Sequence, residues 1–495
     1  MTRARVWLII GAALGVVFAG RLARADGEKW YGVLLMGERA GWLHEAEITT
    51  GKGNLRSLSE LRLRIGRGDG GIEVTIETMT EETPEGKMVA MKSVQTLGAQ
   101  PSETRYEWTD KGVRVTSVLP DGTLQEAIQP EPEGEWDAPI AARRKGDALL
   151  EQGAKEMTLR TIDPSGGLQV IEARRRWVGD EVVEALGKMA HASKWEVEQS
   201  LVPGVVSIEY VDEAGDLIRG DTDFGGMRLT MLAADKETAL LPATGPEFMN
   251  GTMVDVDRPI ADARRVQRAE YVLRVAGGAL PDLPSGGAQR FERIDDVSGR
   301  VFVEVGGSSE KPDEPQGKHL ARSSMLDSGD ARVVAITKEA LAGHEGEADA
   351  AKAERLRRFV HSYISSKNLD VGFATASETA RTRQGDCTEH GVLLAAMLRS
   401  AGIPSRCVSG LVYADGFLGR ERVFGYHMWA QAYVKGTHGK GCWVDVDGTL
   451  GEDTPFDATH IALSWTAFEG EDRLNAFAAL APLLGRLEID VVRVE

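Results

Sequence analysis

The chain has 495 residues, three cysteines and a formal net charge of −18. A chain of this length is too long to fold around a single hydrophobic core, so two to four domains are expected. The negative charge argues against nucleic acid or an anionic membrane surface as a partner, and it is compatible with a protein or peptide substrate. The sequence contains no zinc-spaced cluster of Cys and His and no glycine-rich phosphate loop, so no metal and no cofactor is predicted.

The first 25 residues are typical of a secretory signal peptide. Two arginines precede an apolar run over Val6–Gly20, and Ala23 and Ala25 are the small residues that a signal peptidase requires. We predict cleavage after Ala25 and a periplasmic or extracellular location. The run is shorter than the roughly 20 residues of a membrane span, which leaves an uncleaved N-terminal anchor as the alternative. The remaining sequence has no comparable stretch, so no stable membrane span is predicted after cleavage.

Residues 26–250 form a β-rich region of one or two domains. Alternating polar and apolar residues, as in Ile72–Glu77 and Gly112–Val118, indicate antiparallel strands with one solvent-facing side. Trp30–Trp42 has the pattern of a hairpin. Short helices are predicted only around 138–152 and 180–190.

The second half of the chain alternates between strand and helix signals. Residues 251–305 are predicted to form a small β-rich domain, and residues 306–330 are rich in Gly, Ser, Pro and charge, as in a linker or mobile loop. A domain over residues 331–495 follows. It contains an amphipathic helix over 350–366 and ends in a strand that begins at Leu487.

A cysteine at the start of a buried helix is the first candidate site residue. Asp386 and Glu389 have the spacing of a capping box, and Gly402 supplies a helix stop. The nearly continuous apolar run over 392–398 predicts a helix that is buried on most sides. Cys387 therefore lies in the first turn, where unpaired N–H groups and the helix dipole favour a thiolate.

A histidine and a carboxylate follow on a predicted hairpin. Residues 426–434 alternate, with His427 on the same face as Trp429, and a second strand spans 442–447. Pairing of Val434 with Gly441 would place His427 opposite Gly448, and a change of one residue in register would place Asp447 beside it. We therefore assign Asp447 as the partner of His427, with Asp445 as the fallback.

These segments resemble the catalytic core of the bacterial transglutaminase-like superfamily, which uses a papain-type thiol mechanism. The matching pieces are Gly385–His390, Leu398–Arg406, Ser409–Leu411, His427–Trp429 and Trp443–Thr449. The resemblance implies that Cys387 is the nucleophile, His427 the general base and Asp447 the acid that orients the histidine. It implies an α+β fold in which helices pack on an antiparallel sheet, preceded by the largely antiparallel β domains.

The resemblance is incomplete at two points. Gly448 occupies a position where the family usually has proline. For the oxyanion hole, the backbone N–H of Cys387 is one donor, and the side chain of Gln384 is a weak candidate for the other. Cys407 and Cys442 lie on predicted strands, where they are either paired in a disulfide or both reduced and buried.

The predicted activity is that of an exported thiol enzyme acting on protein or peptide amides. An acyl-thioester on Cys387 would pass to water, as in a protease or amidase, or to an amine, as in a cross-linking transglutaminase. One alternative is a non-catalytic exported scaffold that binds partners through the β-rich N-terminal half. A remote alternative is a phosphatase, because Asp445–Leu450 reads as a DxDGT motif, which requires a parallel sheet and a Mg²⁺ site. The sequence does not define the oligomeric state.

Overall fold

The computed structural model describes residues 27–67, 70–96, 101–185, 188–202, 204–223, 228–245, 253–307, 313–369, 371, 373–435, 441–468 and 483–495. The predicted signal peptide, 1–25, lies outside these ranges. The described chain forms two compact units, an N-terminal unit up to residue 245 and a C-terminal unit from residue 253. Within the described residues, every helix is too short or too polar to cross a membrane.

The N-terminal unit is built on one antiparallel sheet of 14 strands in the order β8-β7-β6-β5-β4-β3-β2-β1-β14-β13-β12-β11-β10-β9. Its strands are β1 (Glu28–Leu35), β2 (Glu38–Thr49), β3 (Leu55–Arg67), β4 (Gly70–Glu82), β5 (Met88–Thr96), β6 (Pro101–Thr109), β7 (Gly112–Val118), β8 (Leu124–Gln129), β9 (Glu156–Ile162), β10 (Val170–Ala185), β11 (Lys188–Gln199), β12 (Val206–Val211), β13 (Leu217–Asp223) and β14 (Arg228–Ala234). Its helices are α1 (Pro139–Glu151) and α2 (Lys236–Ala239).

Local sequence explains the first hairpin and the first helix of this unit. Met36 and Gly37 both have positive φ (55° and 83°), as required by the tight turn that joins β1 to β2. The predicted hairpin is therefore confirmed. Pro139 occupies the first turn of α1, where its missing N–H costs nothing, and α1 packs against β9. The helix predicted over 138–152 is confirmed as well.

The helix predicted over 180–190 is wrong. Instead, β10 and β11 form a hairpin in which Val183 pairs with Ala190 and Glu184 pairs with Met189. The local residues include good helix formers, but intrinsic propensity is a weak preference that long-range strand pairing overrides. Because β10 and β11 also pair with β9 and β12 on either side, the extended conformation satisfies their backbone groups.

The C-terminal unit combines two antiparallel sheets with a group of helices. The strands are β15 (Val254–Asp255), β16 (Arg268–Val275), β17 (Gln289–Arg293), β18 (Ser298–Glu304), β19 (Ser405–Phe417), β20 (Arg420–Lys435), β21 (Gly441–Val446), β22 (His460–Thr466) and β23 (Leu487–Val494). The helices are α3 (Ala331–Ala340), α4 (Asp349–Tyr363), α5 (Ala376–Thr382) and α6 (Cys387–Ser400). The α+β class is as predicted, and α4 and β23 confirm the helix predicted over 350–366 and the final strand.

The two sheets of this unit draw on distant parts of the chain. One has the order β15-β20-β19-β22 with β21 on β20, and the other has the order β17-β18-β16-β23. Because β16 pairs with β23, residues 251–305, expected as a separate small domain, share a sheet with the end of the chain. They belong to the same compact unit as residues 331–495.

The described part of the segment expected as a linker, 306–330, packs against this unit. The Tyr433 hydroxyl donates to the Glu314 carboxylate (2.7 Å), and the Trp443 indole donates to the backbone carbonyl of Asp313 (2.6 Å). Arg406, buried between the rings of Trp443 and Trp465, also forms an ion pair with Asp313 (2.9 Å). This segment is therefore an integral part of the C-terminal unit.

Helix α6 is the centre of the C-terminal core. Every residue from Cys387 to Arg399 is buried, as the apolar run predicts. The helix packs against β19 and β20 on one side and against α3, α4 and α5 on the others. A helix that is buried all round has little freedom to shift, so its first turn is held firmly against β20.

Candidate active site

The thiol of Cys387 lies at the first residue of α6, in a turn closed by a complete capping box. The Asp386 carboxylate accepts from the backbone N–H of Thr388 (2.8 Å), and the Glu389 carboxyl accepts from the backbone N–H of Asp386 (2.9 Å). Gly385 precedes this turn with a φ of 146°, and a Cβ there would collide with the side chain of Glu389. The sequence around Cys387 therefore encodes one specific backbone geometry.

Glu389 is a buried carboxyl that also holds a neighbouring loop. It accepts a second hydrogen bond from the backbone N–H of Ala374 (3.0 Å). Burial raises the pKa of Glu389 well above its usual range, and the nearby Asp386 carboxylate raises it further. The raised pKa favours the neutral form of Glu389, which opposes ionisation of Cys387 less than a second carboxylate would.

His427, on β20, is fully enclosed and bonded to Asp447. Its Nε2 lies 2.7 Å from Asp447 Oδ2, and its side chain is 6% exposed. Burial alone would lower the pKa of His427, but the charge and hydrogen bond of Asp447, with a smaller effect from Cys387, raise it to about 9. The imidazole is therefore protonated at neutral pH.

The thiol and the imidazole act on each other. The second ring nitrogen of His427, Nδ1, is buried and meets no partner at standard hydrogen-bond geometry within the described ranges, so it is the nitrogen left to interact with Cys387. Burial and the charge of the Asp386 carboxylate raise the pKa of the Cys387 thiol, whereas the hydrogen bond and the charge of His427 lower it. The arrangement favours a thiolate beside an imidazolium.

Asp447 follows β21 and is completely buried. Its Oδ1 accepts from the backbone N–H and the hydroxyl of Thr449 (2.8 Å each), and its Oδ2 accepts from His427 and His460. Burial would raise the pKa of Asp447, but the two histidines hold it well below its usual range. Gly448 makes this turn compact, since a Cβ there would come within 3.1 Å of Val360.

The fallback residue Asp445 lies elsewhere in the same sheet. Its Oδ1 accepts from the Trp429 indole (2.7 Å) and the Gln431 amide (2.8 Å), and its Oδ2 accepts from the backbone N–H of Ala288 (2.8 Å). The hairpin register pairs Gln431 with Asp445, which differs from both registers considered from the sequence. Asp445 therefore has a structural role, and Asp447 is the carboxylate that hydrogen-bonds to His427.

The segment that reads as a phosphatase motif does not lie in the parallel sheet that this motif requires. Asp445 lies on β21 and Asp447 directly follows it, and β21 pairs antiparallel with β20, whereas the motif belongs to a parallel sheet. Both carboxylates are already engaged by groups of the C-terminal unit. The geometry gives no support to the phosphatase alternative.

The other two cysteines and the oxyanion candidate complete the predicted set. All three cysteines are reduced, and the thiol of buried Cys407 lies 3.7 Å from the backbone carbonyl of Gly391. Cys407 and Cys442 are both reduced, but only Cys407 is buried, and Cys442 is partly exposed, which differs from the expectation that both are buried. Gln384 is half-buried three residues before Cys387, and its role as an oxyanion donor stays a prediction.

The sequence did not reveal a second histidine behind Asp447. His460, at the start of β22, lies 3.2 Å from Asp447 Oδ2, and its ring is bonded on the other side to Asp457. The ligand atoms of His427, Asp447 and His460 lie within 4.8 Å of one another. Two hydrogen bonds to the same carboxylate oxygen account for this clustering, so we assign it to the hydrogen-bonded site rather than to a metal centre.

Comparison with known proteins agrees with the assignment of this unit. The family model described as transglutaminase-like superfamily matches residues 335–448, so the C-terminal unit contains a transglutaminase-like domain. A comparison with curated proteins found no match.

Several solved structures share limited similarity with the chain. A beta-barrel-like protein of a domain of unknown function from Brucella abortus is 11% identical, covering 43% of this chain and 97% of its own, with a TM-score of 0.32. A candidate cysteine protease from Cytophaga hutchinsonii is 12% identical, covering 47% and 89%, with a TM-score of 0.27. The periplasmic domain of TgpA from Pseudomonas aeruginosa is 17% identical, covering 40% and 96%, with a TM-score of 0.25.

Proposed function

We propose that the protein is an exported thiol enzyme that acts on amide bonds of proteins or peptides through an acyl-thioester on Cys387. The observation that carries this proposal is the fully buried pair of His427 and Asp447 next to a thiol at a helix N-terminus. A buried structural cysteine would need neither a protonated imidazole beside it nor a carboxylate to keep that imidazole charged.

The reaction has two steps, acylation of Cys387 and deacylation. The Cys387 thiolate attacks the amide carbonyl carbon, and the backbone N–H of Cys387 stabilises the resulting oxyanion. The His427 imidazolium then gives its proton to the leaving amine as the C–N bond breaks, which leaves a thioester and a neutral imidazole. The neutral His427 next removes a proton from water or from an incoming amine, whose attack releases the acyl group and restores the thiolate and imidazolium.

The choice between water and amine depends on features around the site rather than on the three residues themselves, because both reactions use the same groups. We therefore propose amide hydrolysis and amine transfer as the two outcomes of one acyl-enzyme. Export rests on the predicted leader and is tested separately, by fractionation of cells that produce the full chain.

A direct test compares the three thiols of the protein with one another. We expect iodoacetamide to label Cys387 fastest, with a rate that rises as the thiolate forms, and mass spectrometry identifies the labelled peptides. Cys442, which is only partly buried, provides the matched control thiol without a histidine–carboxylate pair. Equal labelling of Cys387 and Cys442 across pH would contradict an activated nucleophile.

The activity itself is measured on a casein digest, with and without a fluorescent primary amine. We expect either new peptide termini or incorporation of the amine with the wild-type protein, and neither with Cys387→Ala, whereas Cys442→Ala should retain the activity. If Cys387→Ala and wild type bind the same exported partners and neither changes the substrate, the alternative of a non-catalytic scaffold is correct.

A further inference from the structure

His460 is buried next to Asp447 and contacts the same carboxylate oxygen as His427. Its side chain has no solvent exposure, and its ring packs against the rings of Phe456 and Trp429. Nε2 lies 3.2 Å from Asp447 Oδ2, and Nδ1 lies 3.0 Å from the backbone carbonyl oxygen of Asp457. The imidazole is thus held at both nitrogens by the two ends of the β21–β22 connection, Asp447 at its start and Asp457 near its end.

The chemistry of these two partners defines the protonation of His460. A backbone carbonyl can only accept a hydrogen bond, so Nδ1 must carry a hydrogen. An ionised carboxylate can also only accept, so Nε2 must carry one as well. A histidine that donates from both nitrogens is an imidazolium, and the Asp457 carboxylate, 3.4 Å from Nδ1, supplies a second opposite charge.

Behind Asp457 the pattern continues to Arg264. The Arg264 guanidinium donates to Asp457 Oδ2 (2.6 Å) and to the backbone carbonyl of Tyr413. Together with the site, this gives a series of alternating charges that is buried except at Arg264, whose side chain is 35% exposed. From the thiol outward, its members are the Cys387 thiolate, His427 imidazolium, Asp447 carboxylate, His460 imidazolium, Asp457 carboxylate and Arg264 guanidinium. Each internal charge lies between two charges of opposite sign, which is the condition under which buried ions are tolerated.

We propose that His460 is a positioning residue for the reaction, which orients Asp447 and offsets part of the charge that Asp447 exerts on His427. This inference rests on the proposed function, because it concerns the same thiol–imidazole pair. The charged groups that face His460 are Asp447, Asp457 and His427, whose ring centre lies 5.6 Å away, and the other neighbours are the rings of Phe456 and Trp429.

The direction of the effect follows from the charges. A positive charge at His460 opposes protonation of the nearby His427, so removing that charge stabilises the His427 imidazolium. The variant His460→Gln keeps a donor for Asp447 but carries no charge. We expect the alkaline limb of the pH profile of the thiolate–imidazolium pair to move up by about one pH unit. We also expect kcat to fall about tenfold with an unchanged KM, because His460 is buried away from substrate.

The experiment measures the rate of Cys387 alkylation by iodoacetamide from pH 4 to 11, which reports the ion pair without any substrate. His319→Gln, a substitution of another buried histidine of the same unit, is the control and should leave the profile unchanged. An upward shift in His460→Gln supports the proposal, and a profile that superimposes on wild type overturns it. A wild-type profile without any activated thiol refutes the proposed function instead, which separates the two failures.

Asp457→Asn provides a second variant in case His460→Gln does not fold, as judged by circular dichroism. It leaves His460 in place but removes the carboxylate that favours its charge. We expect the alkaline limb to move in the same upward direction, by a smaller amount. A purely structural role of His460 predicts a lower melting temperature with no movement of either limb, and that result also overturns the proposal.

Discussion

Neutralising Asp447 should shift the pH range over which the thiol site is charged. The interval between the ordinary imidazole pKa of 6.5 and the value of about 9 in the folded protein corresponds to about 3 kcal/mol in favour of the His427 imidazolium. Asp447 is the largest favourable contribution to that raised pKa, with Cys387 adding less. We therefore expect Asp447→Asn to lose about 2 kcal/mol of this stabilisation, which is roughly thirtyfold in the equilibrium of the ion pair.

The assay is the pH dependence of Cys387 alkylation, followed by kcat/KM once a substrate is available. In wild type the thiolate–imidazolium pair persists below the raised pKa of His427 and is lost as the pH rises through about 9. In Asp447→Asn the alkaline limb should fall by more than one pH unit, because the neutral amide no longer holds the proton on His427. The rate of reaction at pH 8 should fall with it.

Asp445→Asn is the matched control for this experiment. Asp445 is another buried carboxylate two residues away, but it accepts hydrogen bonds from Trp429, Gln431 and the backbone N–H of Ala288. Its substitution should lower the melting temperature and leave the alkaline limb in place. The reasoning would be refuted if Asp445→Asn moved the limb and Asp447→Asn did not, since the orienting carboxylate would then be the wrong one.

Three further predictions concern the framework of the site. Gly410→Ala should prevent stable folding, because a Cβ there would collide with a backbone carbonyl and an indole ring. Gly425→Ala, on the paired strand, has open space for its Cβ and should fold with little change in melting temperature. Asp386→Ala should cost about 1 kcal/mol in urea unfolding through the lost helix cap, while the acid limb of Cys387 alkylation moves down because a nearby negative charge is removed. His319→Gln should make the protein less sensitive to acid denaturation. Burial, and then the charge of a neighbouring arginine, lowers the pKa of His319 from 6.5 to about 4, so the wild type loses up to about 3 kcal/mol of its free energy of unfolding as the pH falls from 6.5 to 4. Unfolding curves of both proteins at pH 7 and pH 4 measure the difference.

The parts of the site that depend on local sequence were predictable. The start of α6 at Cys387 follows from Asp386 and Glu389, because a capping box is formed by residues only three apart. The buried character of the helix follows in the same way from its apolar run. These features are decided within one or two turns of chain, where a single sequence contains the required information.

The parts that depend on tertiary pairing were not predictable to the same degree. The hairpin that carries His427 and Asp447 was expected, but its register differs from both expected ones, because cross-strand pairing of long strands is decided by the whole sheet. His460 was missed because it lies on a different strand from His427 and meets Asp447 only after β22 pairs with β19. A histidine three residues after Asp457 was the available signal, and by itself it indicates no contact.

The order of strands in the N-terminal unit has a consequence for how that unit assembles. Every neighbouring pair in its sheet is consecutive in the chain except β1 and β14, whose paired residues, such as Trp30 and Ala234, are about 200 positions apart. Closing so long a loop costs more entropy than forming a hairpin and is therefore slower. The two halves of the sheet, β1–β8 and β9–β14, should fold independently, and the pairing of β1 with β14 should form last. Strand β1 must therefore wait, with one edge unpaired, until β14 has been synthesised about 200 residues later.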